Sequence, residues 1–343
     1  MEDLKNLLPS ELHGFMESLG EPSYRGDQIF SWIHKHRVPS FDDMTNLPVA
    51  LRQKLKETAY ITRLDVRSRS EGNKGTVKYL LETHDNNAIE AVRMEYRHGI
   101  TACLSTQVGC KMACSFCASG IEGFVRNLSA SEIVDEALRI HEDVALLGAH
   151  VGNIVLMGTG EPLDNYDASI KALYILNDKG GLEISFRRMT LSTCGLVPGI
   201  RRLAEEKIPV TLSISLHAPT DDTRDLLMPI NRQYPIVELL EAASYYRECT
   251  GRRVTFEYAL IRDVNDSDTH AYQLAKLLQG QLGHVNLIPL NPIEERDYAR
   301  SPAVRVNRFA KILDDASIPV TIRRDLGLDV HAACGQLRRR YCR

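Results

Sequence analysis

The chain has 343 residues, a formal net charge of −3 and 25% charged residues, values that exclude a polycation and a highly charged disordered chain. Its 43% of hydrophobic residues can fill the cores of about two domains, or of one α/β barrel. Eight cysteines are too few for a disulfide scaffold at this length. The sequence shows no secretory signal and no apolar run of the ~18 residues that span a membrane. We therefore expect a cytoplasmic protein that has no membrane partner.

Within the first hundred residues, the sequence pattern changes once, from helix-like to strand-like. Over residues 1–58, apolar residues recur at helical spacing within 8–19 and 28–36, and Pro48 sits where a third helix would begin. Residues 59–98 are β-rich runs separated by turn sequences. These patterns predict a small helical accessory domain over 1–58 and a β-meander linker over 59–98.

From residue 100 onward, strand-like and helix-like stretches alternate, which is typical of a parallel sheet covered by helices. The pattern predicts an open (β/α)6 barrel within a core domain over 99–343. In such barrels the active-site residues lie at the C-terminal ends of the strands. The expected strands are 100–108, 153–157, 188–193, 210–216, 254–261, 284–289 and 319–323, and the expected helices are 130–145, 166–178, 197–207, 236–249, 267–281 and 303–316.

Three cysteines follow the first of these strands with the spacing C-x3-C-x2-C, at Cys110, Cys114 and Cys117. A zinc knuckle, a disulfide with a spare thiol, and buried cysteines are the ordinary alternatives. Three thiolates on a [4Fe–4S] cluster would leave one iron open to a ligand that is not protein. This spacing resembles the signature of the radical S-adenosylmethionine (SAM) enzymes.

Other polar groups lie where later strands end. The glycines of GTGEP at 158–162 allow a ligand to approach the backbone closely, and Glu161 could accept hydrogen bonds from an ammonium group. The alternative is an ordinary turn between a strand and a helix. Ser192, the Ser215-Leu216-His217 run and Asn291 also follow strands, although lone polar groups there are commonly structural.

Two further cysteines lie outside the triplet. Cys334 stands among small residues in AACGQL at 332–337, just after the last expected strand. Cys103 lies on the first strand, where it is a doubtful fourth ligand for the cluster. Both are alternatively buried structural cysteines. Cys194, Cys249 and Cys342 are assigned no role.

Basic residues are clustered locally, at 25–37, 201–202, 252–253, 323–324 and 338–343. Each cluster alone is an ordinary solvated surface. Together they leave nucleic-acid binding open, because phosphate neutralisation depends on a local basic face and not on net charge.

Over nearly its whole length the chain resembles the RlmN/Cfr family of radical SAM methyltransferases, and it is more similar to the RlmN branch. Residues 118–124 differ from the sequence that is more common in the family, but the three cysteines are unchanged. The stretches that carry the resemblance, in the family's order, are 41–47, 105–110, 126–128, 215–219, 227–232, 251–253, 284–289 and 332–337.

The resemblance implies methylation of adenine carbon 2, at adenine 2503 of 23S rRNA and adenine 37 of tRNA. It implies one [4Fe–4S] cluster per subunit, two SAM molecules per turnover, a flavodoxin or ferredoxin as electron donor, and a monomer with an RNA-binding N-terminal domain. The implied roles are cluster ligation by Cys110, Cys114 and Cys117; SAM contact by Gly160, Glu161, Ser192, Ser215, Leu216, His217 and Asn291; an S-methylcysteine intermediate on Cys334; a resolving thiol at Cys103; and a proton acceptor at Glu90.

Two other functions remain open at this point. Carbon-8 methylation of the same rRNA adenine, as in the Cfr branch, would use the same cluster and thiols. A non-catalytic, metal-bound RNA-binding module would cleave no SAM.

Overall fold

The computed structural model describes residues 1–97, 99–324 and 327–337. The basic run at 338–343, with Cys342, therefore lies outside the described residues. None of the helices in the described part has the length and hydropathy that spanning a membrane requires. The α-helices there are α1 (Pro9–Ser18), α2 (Arg25–His34), α3 (Val49–Thr58), α4 (Ala130–Ala145), α5 (Tyr166–Asn177), α6 (Val197–Glu205), α7 (Asp221–Leu227), α8 (Ile236–Thr250), α9 (Asp268–Leu278) and α10 (Ala303–Asp315).

The strands form one large sheet and two small ones. The large sheet has the order β14-β13-β12-β11-β10-β9-β6-β5-β4-β3, while β1 pairs with β2 and β7 with β8. The strands are β1 (Glu2–Asp3), β2 (Ala59–Tyr60), β3 (Asp65–Glu71), β4 (Val77–Glu82), β5 (Ala88–Tyr96), β6 (Gly99–Leu104), β7 (Gln107–Gly109), β8 (Phe124–Asn127), β9 (Val151–Leu156), β10 (Met189–Thr193), β11 (Thr211–Ser215), β12 (Val254–Leu260), β13 (Gly283–Pro289) and β14 (Val320–Ile322).

The barrel predicted from the sequence is confirmed. Strands β6, β9, β10, β11, β12, β13 and β14 pair in parallel in that order, and each connection between neighbours carries at least one helix. Because β14 is not bonded back to β6, the sheet stays open on one side. Buried aliphatic residues on the helices, such as Ile133, Leu173 and Leu203, cover its outer face.

The expected first strand at 100–108 is wrong in one respect, because it ends at Leu104. The amide of Ser105 donates to Glu136 Oε2 over 2.9 Å, and that of Thr106 donates to the Thr159 carbonyl over 2.9 Å. These bonds lie outside the strand ladder, so the chain leaves the large sheet here. It then pairs in β7 with β8, and this hairpin frames the cysteine loop.

The expected meander at 59–98 is present as antiparallel β3, β4 and β5. It does more than link, since β5 pairs antiparallel with β6 and so continues the sheet of the barrel. The register of that pairing sets Val92 opposite Cys103.

Residues 1–58 pack directly on the barrel. Their buried side chains, including Leu4, Leu12 and Phe30, belong to the same apolar cluster as the core of the barrel. Lys5 Nζ lies 2.5 Å from Asp135 Oδ1 of α4, and both side chains are at most 4% exposed. The domain limits at 58 and 98 stay a prediction.

The buried Lys5–Asp135 pair predicts a stability difference. We expect Lys5→Met to cost about 1.5–3 kcal/mol, because Asp135 loses a buried, charged hydrogen-bond partner but keeps Arg139 at 3.4 Å. Lys56→Met removes an exposed partner of Asp42 and should cost less than about 1 kcal/mol. Thermal unfolding of both variants measures the difference, and equal shifts would contradict it.

Candidate active site

A cavity of about 160 Å³ opens at the C-terminal ends of the parallel strands. It gathers residues from the cysteine loop, from the ends of the six strands β9 to β14 and from the C-terminal segment. Those predicted from the sequence to bind a cluster or SAM that line it are Cys110, Cys114, Cys117, Gly160, Glu161, Ser192, Ser215, His217 and Asn291, together with Cys334.

The cysteine loop is held by backbone contacts on both sides. Gly109 adopts φ +76, and a Cβ there would lie 1.8 Å from the Gly123 carbonyl oxygen, so the turn into the loop requires glycine. The Ser115 amide donates to the Leu227 carbonyl over 2.9 Å, and the Ala118 amide donates to the Gly335 carbonyl over 2.8 Å. These bonds fix the loop to α7 and to the C-terminal segment.

Burial raises the pKa of all three loop thiols, that of Cys110 to about 12. A bare thiolate is therefore disfavoured here, whereas a bound cationic centre would supply the missing charge. Among the described residues, no three His, Cys, Asp or Glu side chains are gathered closely enough to hold a single metal ion. A [4Fe–4S] cluster takes its ligands at separate irons. The donor set fits such a cluster.

A buried guanidinium lies behind these thiols. Arg224 of α7 is 0% exposed, and it donates to the carbonyls of Cys194, Ser215 and Leu216 at 2.6–3.1 Å and to Asn231 Oδ1 at 2.9 Å. Burial lowers its pKa, while the nearby cysteine thiols raise it. Because these bonding partners are neutral, Arg224 adds positive potential to a wall that would hold an anionic thiolate cluster.

The loop after β9 approaches the end of β6 very closely. A Cβ on Gly158 would lie 2.7 Å from the Leu104 carbonyl, and one on Gly160 would lie 2.7 Å from Gln107 Cβ. Glu161 accepts the amides of Leu163 at 3.0 Å and Cys194 at 2.7 Å, one on each carboxylate oxygen. Burial raises the pKa of Glu161, and these two bonds oppose the rise. The Glu161 carboxylate thus braces the loop whose backbone lines the cavity.

His217 has a defined tautomer. Its Nδ1 accepts the amide of Ala259 over 2.9 Å, so the ring proton is on Nε2. The ring packs edge-on against Phe116 of the cysteine loop, with centroids 4.9 Å apart. Burial lowers the pKa of His217 to about 3, and the imidazole stays neutral near pH 7 as a hydrogen-bond donor.

The C-terminal segment holds Cys334 beside the cavity. Asn291 Nδ2 donates to the Cys334 carbonyl over 3.1 Å, and Ser119 Oγ donates to the Leu337 carbonyl over 2.8 Å. A second cavity of about 20 Å³ adjoins the first and is lined by both Cys103 and Cys334. The two thiols that the sequence singled out separately therefore share one space.

Two of the predicted site residues do not line either cavity. Leu216 is 0% exposed in the apolar core, and its amide donates to the Glu257 carbonyl over 3.1 Å. Glu90 is 2% exposed on β5 and pairs with Lys78 at 3.0 Å. Glu90 is two residues from Val92, which packs with Cys103, and so it lies on the same face of β5.

Sequence reasoning missed the cations of the site. Arg224 lies on α7, which was not expected, and an arginine in DDTRDLL gives no sign of burial. Arg323 lines both cavities, and the proximity of Cys334 raises its pKa. In the sequence, Arg323 stands out only as part of the basic cluster at 323–324. The signal available was its location at the end of the last strand.

Two family models match the chain: the radical SAM superfamily over residues 104–275, and the ribosomal RNA large subunit methyltransferase N-terminal domain over residues 2–61. A relative from Desulforamulus reducens, described as a probable dual-specificity RNA methyltransferase RlmN, is 50% identical over 99% of this chain and 96% of its own length. A relative of the same description from Caldanaerobacter subterraneus is 51% identical over 99% of both chains.

The chain belongs to the RlmN family. A solved radical SAM methyltransferase from Sphaerobacter thermophilus has the same fold, with a TM-score of 0.94, 46% identity, and coverage of 98% of this chain and 99% of that one. The family predicted from the sequence is thereby confirmed. Membership of the radical SAM superfamily implies an iron–sulfur cluster and SAM as its cofactors.

Gly160 provides a test of the loop in this RlmN-family chain. We expect Gly160→Ala to weaken SAM binding at least tenfold, because its Cβ would push the loop off Gln107 at a φ of +110. Gly148→Ala is the matched control, with φ +70 and open space around its Cβ. Equilibrium dialysis with SAM measures the effect, and equal affinities for the two variants would contradict it.

His217 predicts a pH dependence of stability. Its pKa is near 6.5 in the unfolded chain and about 3 in the folded one, so acidification favours the unfolded state, which takes up the proton first. The contribution is complete above pH 6.5 and should be reduced by about 2 kcal/mol at pH 5. We expect His217→Gln to flatten the loss of stability between pH 7 and pH 5 in denaturant titrations. Identical profiles would refute this.

Proposed function

We propose that the protein is a radical SAM methyltransferase that methylates carbon 2 of adenine in 23S rRNA and tRNA through a methylated cysteine. The observation that carries the proposal is the shared cavity of Cys103 and Cys334, next to the cavity of the three loop cysteines. Two further thiols that share one space beside the three loop cysteines are suited to a methyl carrier and to a second thiol that resolves it.

In this proposal Cys110, Cys114 and Cys117 hold the [4Fe–4S] cluster. SAM contacts the backbone of Gly160 and the polar groups of its neighbours around the cavity. The cluster, when bound, supplies the electron that cleaves SAM to a 5′-deoxyadenosyl radical. Glu161 braces the binding loop, His217 offers its Nε2 proton, and the hydroxyls of Ser192 and Ser215 and the amide of Asn291 complete the polar lining.

The chemistry of the base explains the need for Cys334. Carbon 2 of adenine is electron-poor and does not attack the SAM methyl group as a nucleophile. The Cys334 thiolate accepts a methyl group first, since the thiolate is the nucleophilic form of cysteine. That methyl group gives one hydrogen atom to the 5′-deoxyadenosyl radical, and its carbon then bonds to carbon 2 and tethers the RNA to Cys334. The adduct gives up one electron, which replaces the electron spent on SAM cleavage, and loses its carbon-2 proton to Glu90. Cys103 then attacks the Cys334 sulfur, and the disulfide that forms releases the methylated RNA.

Glu90 is the proposed proton acceptor for carbon 2 of the tethered base. Its carboxylate lies 3.0 Å from Lys78 Nζ, on the strand that pairs with the strand of Cys103. The resemblance alone suggested this role, and the location of Glu90 on the Val92 face of β5 supports it.

The proposed partners follow from the same family. Residues 2–61 match the model of a ribosomal RNA large subunit methyltransferase N-terminal domain, which supports a role in holding RNA. We further propose that the protein acts as a cytoplasmic monomer and takes its electrons from a flavodoxin or ferredoxin.

The function is tested by anaerobic reconstitution with iron, sulfide, SAM, a chemical reductant and RNA, followed by nucleoside mass spectrometry. We expect 2-methyladenosine and 5′-deoxyadenosine, and neither product from Cys114→Ala, which lacks a cluster ligand. 8-Methyladenosine would overturn the carbon-2 assignment. Bound RNA without any 5′-deoxyadenosine would indicate a binding module instead.

The two thiols predict opposite outcomes on a denaturing gel. Cys103→Ala should accumulate protein covalently joined to RNA, because nothing displaces the methylated base from Cys334. Cys334→Ala should show no such species, because no carrier forms. Cys249→Ala, a cysteine outside both cavities, is the matched control and should turn over normally. The absence of adduct in both active-site variants would contradict the two-thiol scheme.

A further inference from the structure

A third cavity, of about 230 Å³, lies on the inner face of the barrel toward the N-terminal ends of β9 and β10. Asn153 of β9 and Thr190 of β10 line it. The cavity is thus on the other side of the thiols from the cysteine loop. It shares Met94 and Arg323 with the small cavity that holds Cys103 and Cys334.

The lining of this third cavity is strongly basic. Arg187, Arg188 and Arg323 line it, together with the phenol-bearing Tyr96, and none of its lining residues is acidic. Arg187 and Arg188 are exposed, and neither guanidinium has an ion-pair partner among the described residues. On a chain whose net charge is −3, these two adjacent arginines concentrate positive charge at the edge of the cavity.

Arg323 joins the two spaces. It follows β14, while Tyr96 ends β5 at the other side of the open barrel, and the two side chains interact. Arg323 also lines the cavities that contain Cys334. Arg323 therefore lies between the thiols and the two exposed arginines. If the base of a nucleotide reached Cys103 and Cys334, its phosphate groups could extend past Arg323 toward Arg187 and Arg188.

We propose that the third cavity binds the phosphate groups that flank the target adenosine, with Arg187 and Arg188 as their cationic contacts and the base pointing toward Cys103 and Cys334. The inference rests on the proposed function, and it adds the direction from which RNA enters. The RNA would approach from the N-terminal side of the strands, and the cysteine loop would close the opposite side. Guanidinium groups suit this task because they donate paired hydrogen bonds to phosphate oxygens.

The test is a double-mutant cycle between protein and RNA, with the full chain and a synthetic stem-loop that carries adenine in its loop. The protein change is Arg187→Ala with Arg188→Ala. The RNA change is a neutral methylphosphonate at the two linkages flanking that adenine. Lys179→Ala with Lys207→Ala, which removes two exposed charges beyond α5 and α6, is the matched control.

We expect the arginine double variant to weaken RNA binding about tenfold or more and to reduce the salt slope of log Kd by about 1.4, the value for two single-strand phosphate contacts. The methylphosphonates should weaken binding to the wild type and to the lysine control, and should have little further effect on the arginine variant. SAM cleavage without RNA should be equal in all three proteins.

The outcomes separate this inference from the proposed function. If the wild type methylates the RNA but the methylphosphonates weaken all three proteins equally, the phosphates do not lie at Arg187 and Arg188 and the inference is wrong. If the arginine variant binds and methylates like the wild type, the inference is also wrong. If the wild type makes no methylated adenosine from the unmodified RNA, the proposed function fails and the inference falls with it.

Discussion

Ser105 is the residue on which the geometry of the site depends. Its amide donates to Glu136, its hydroxyl donates to the Glu90 carbonyl over 2.7 Å, and the same oxygen accepts the Thr159 amide over 3.0 Å. One side chain at the end of β6 therefore joins the strand of the proposed proton acceptor to the loop that lines the candidate SAM site. The departure of the chain from the sheet toward the cysteine loop starts at the same point.

These contacts require unusual charges in the core. Glu136 is 0% exposed, burial raises its pKa well above the usual range, and its Oε1 has no partner. A protonated Glu136 can accept the Ser105 amide without the desolvation cost of a buried anion. On the other side of the cavity Arg224 is buried as a cation among neutral partners. The core thus holds a positive charge at Arg224, close to Cys114 and Cys194.

Much of the barrel could be predicted from the sequence because its strands and helices are separate, periodic and of ordinary length. The parallel order and the strand-end location of Ser192, His217 and Asn291 follow from that pattern alone. The short β7–β8 hairpin could not be predicted, because its formation depends on side-chain bonds from Glu136 and on the close approach at Gly109. Local propensity does not report such tertiary contacts.

The location of Cys334 could not be predicted from the sequence either. Sequence separates Cys103 from Cys334 by most of the chain, and periodicity does not reveal that both face one cavity. The SAM contact that the resemblance implies for Leu216 stays a prediction, and the side chain of this residue lies in the apolar core. Alternation along a strand end would have predicted that outcome.

Residues 118 and 119 hydrogen-bond the cysteine loop to the Cys334 segment, and these bonds determine which substitutions the loop tolerates. At Ala118 the bond is made by a backbone amide, which every amino acid except proline supplies, whereas at Ser119 it is made by a hydroxyl. Position 118, which is 1% exposed, is therefore limited by the size of its side chain and not by its hydrogen bond, whereas position 119 is confined to residues with a short hydroxyl. A loop that varies elsewhere within 118–124 can thus keep both of its bonds to the Cys334 segment.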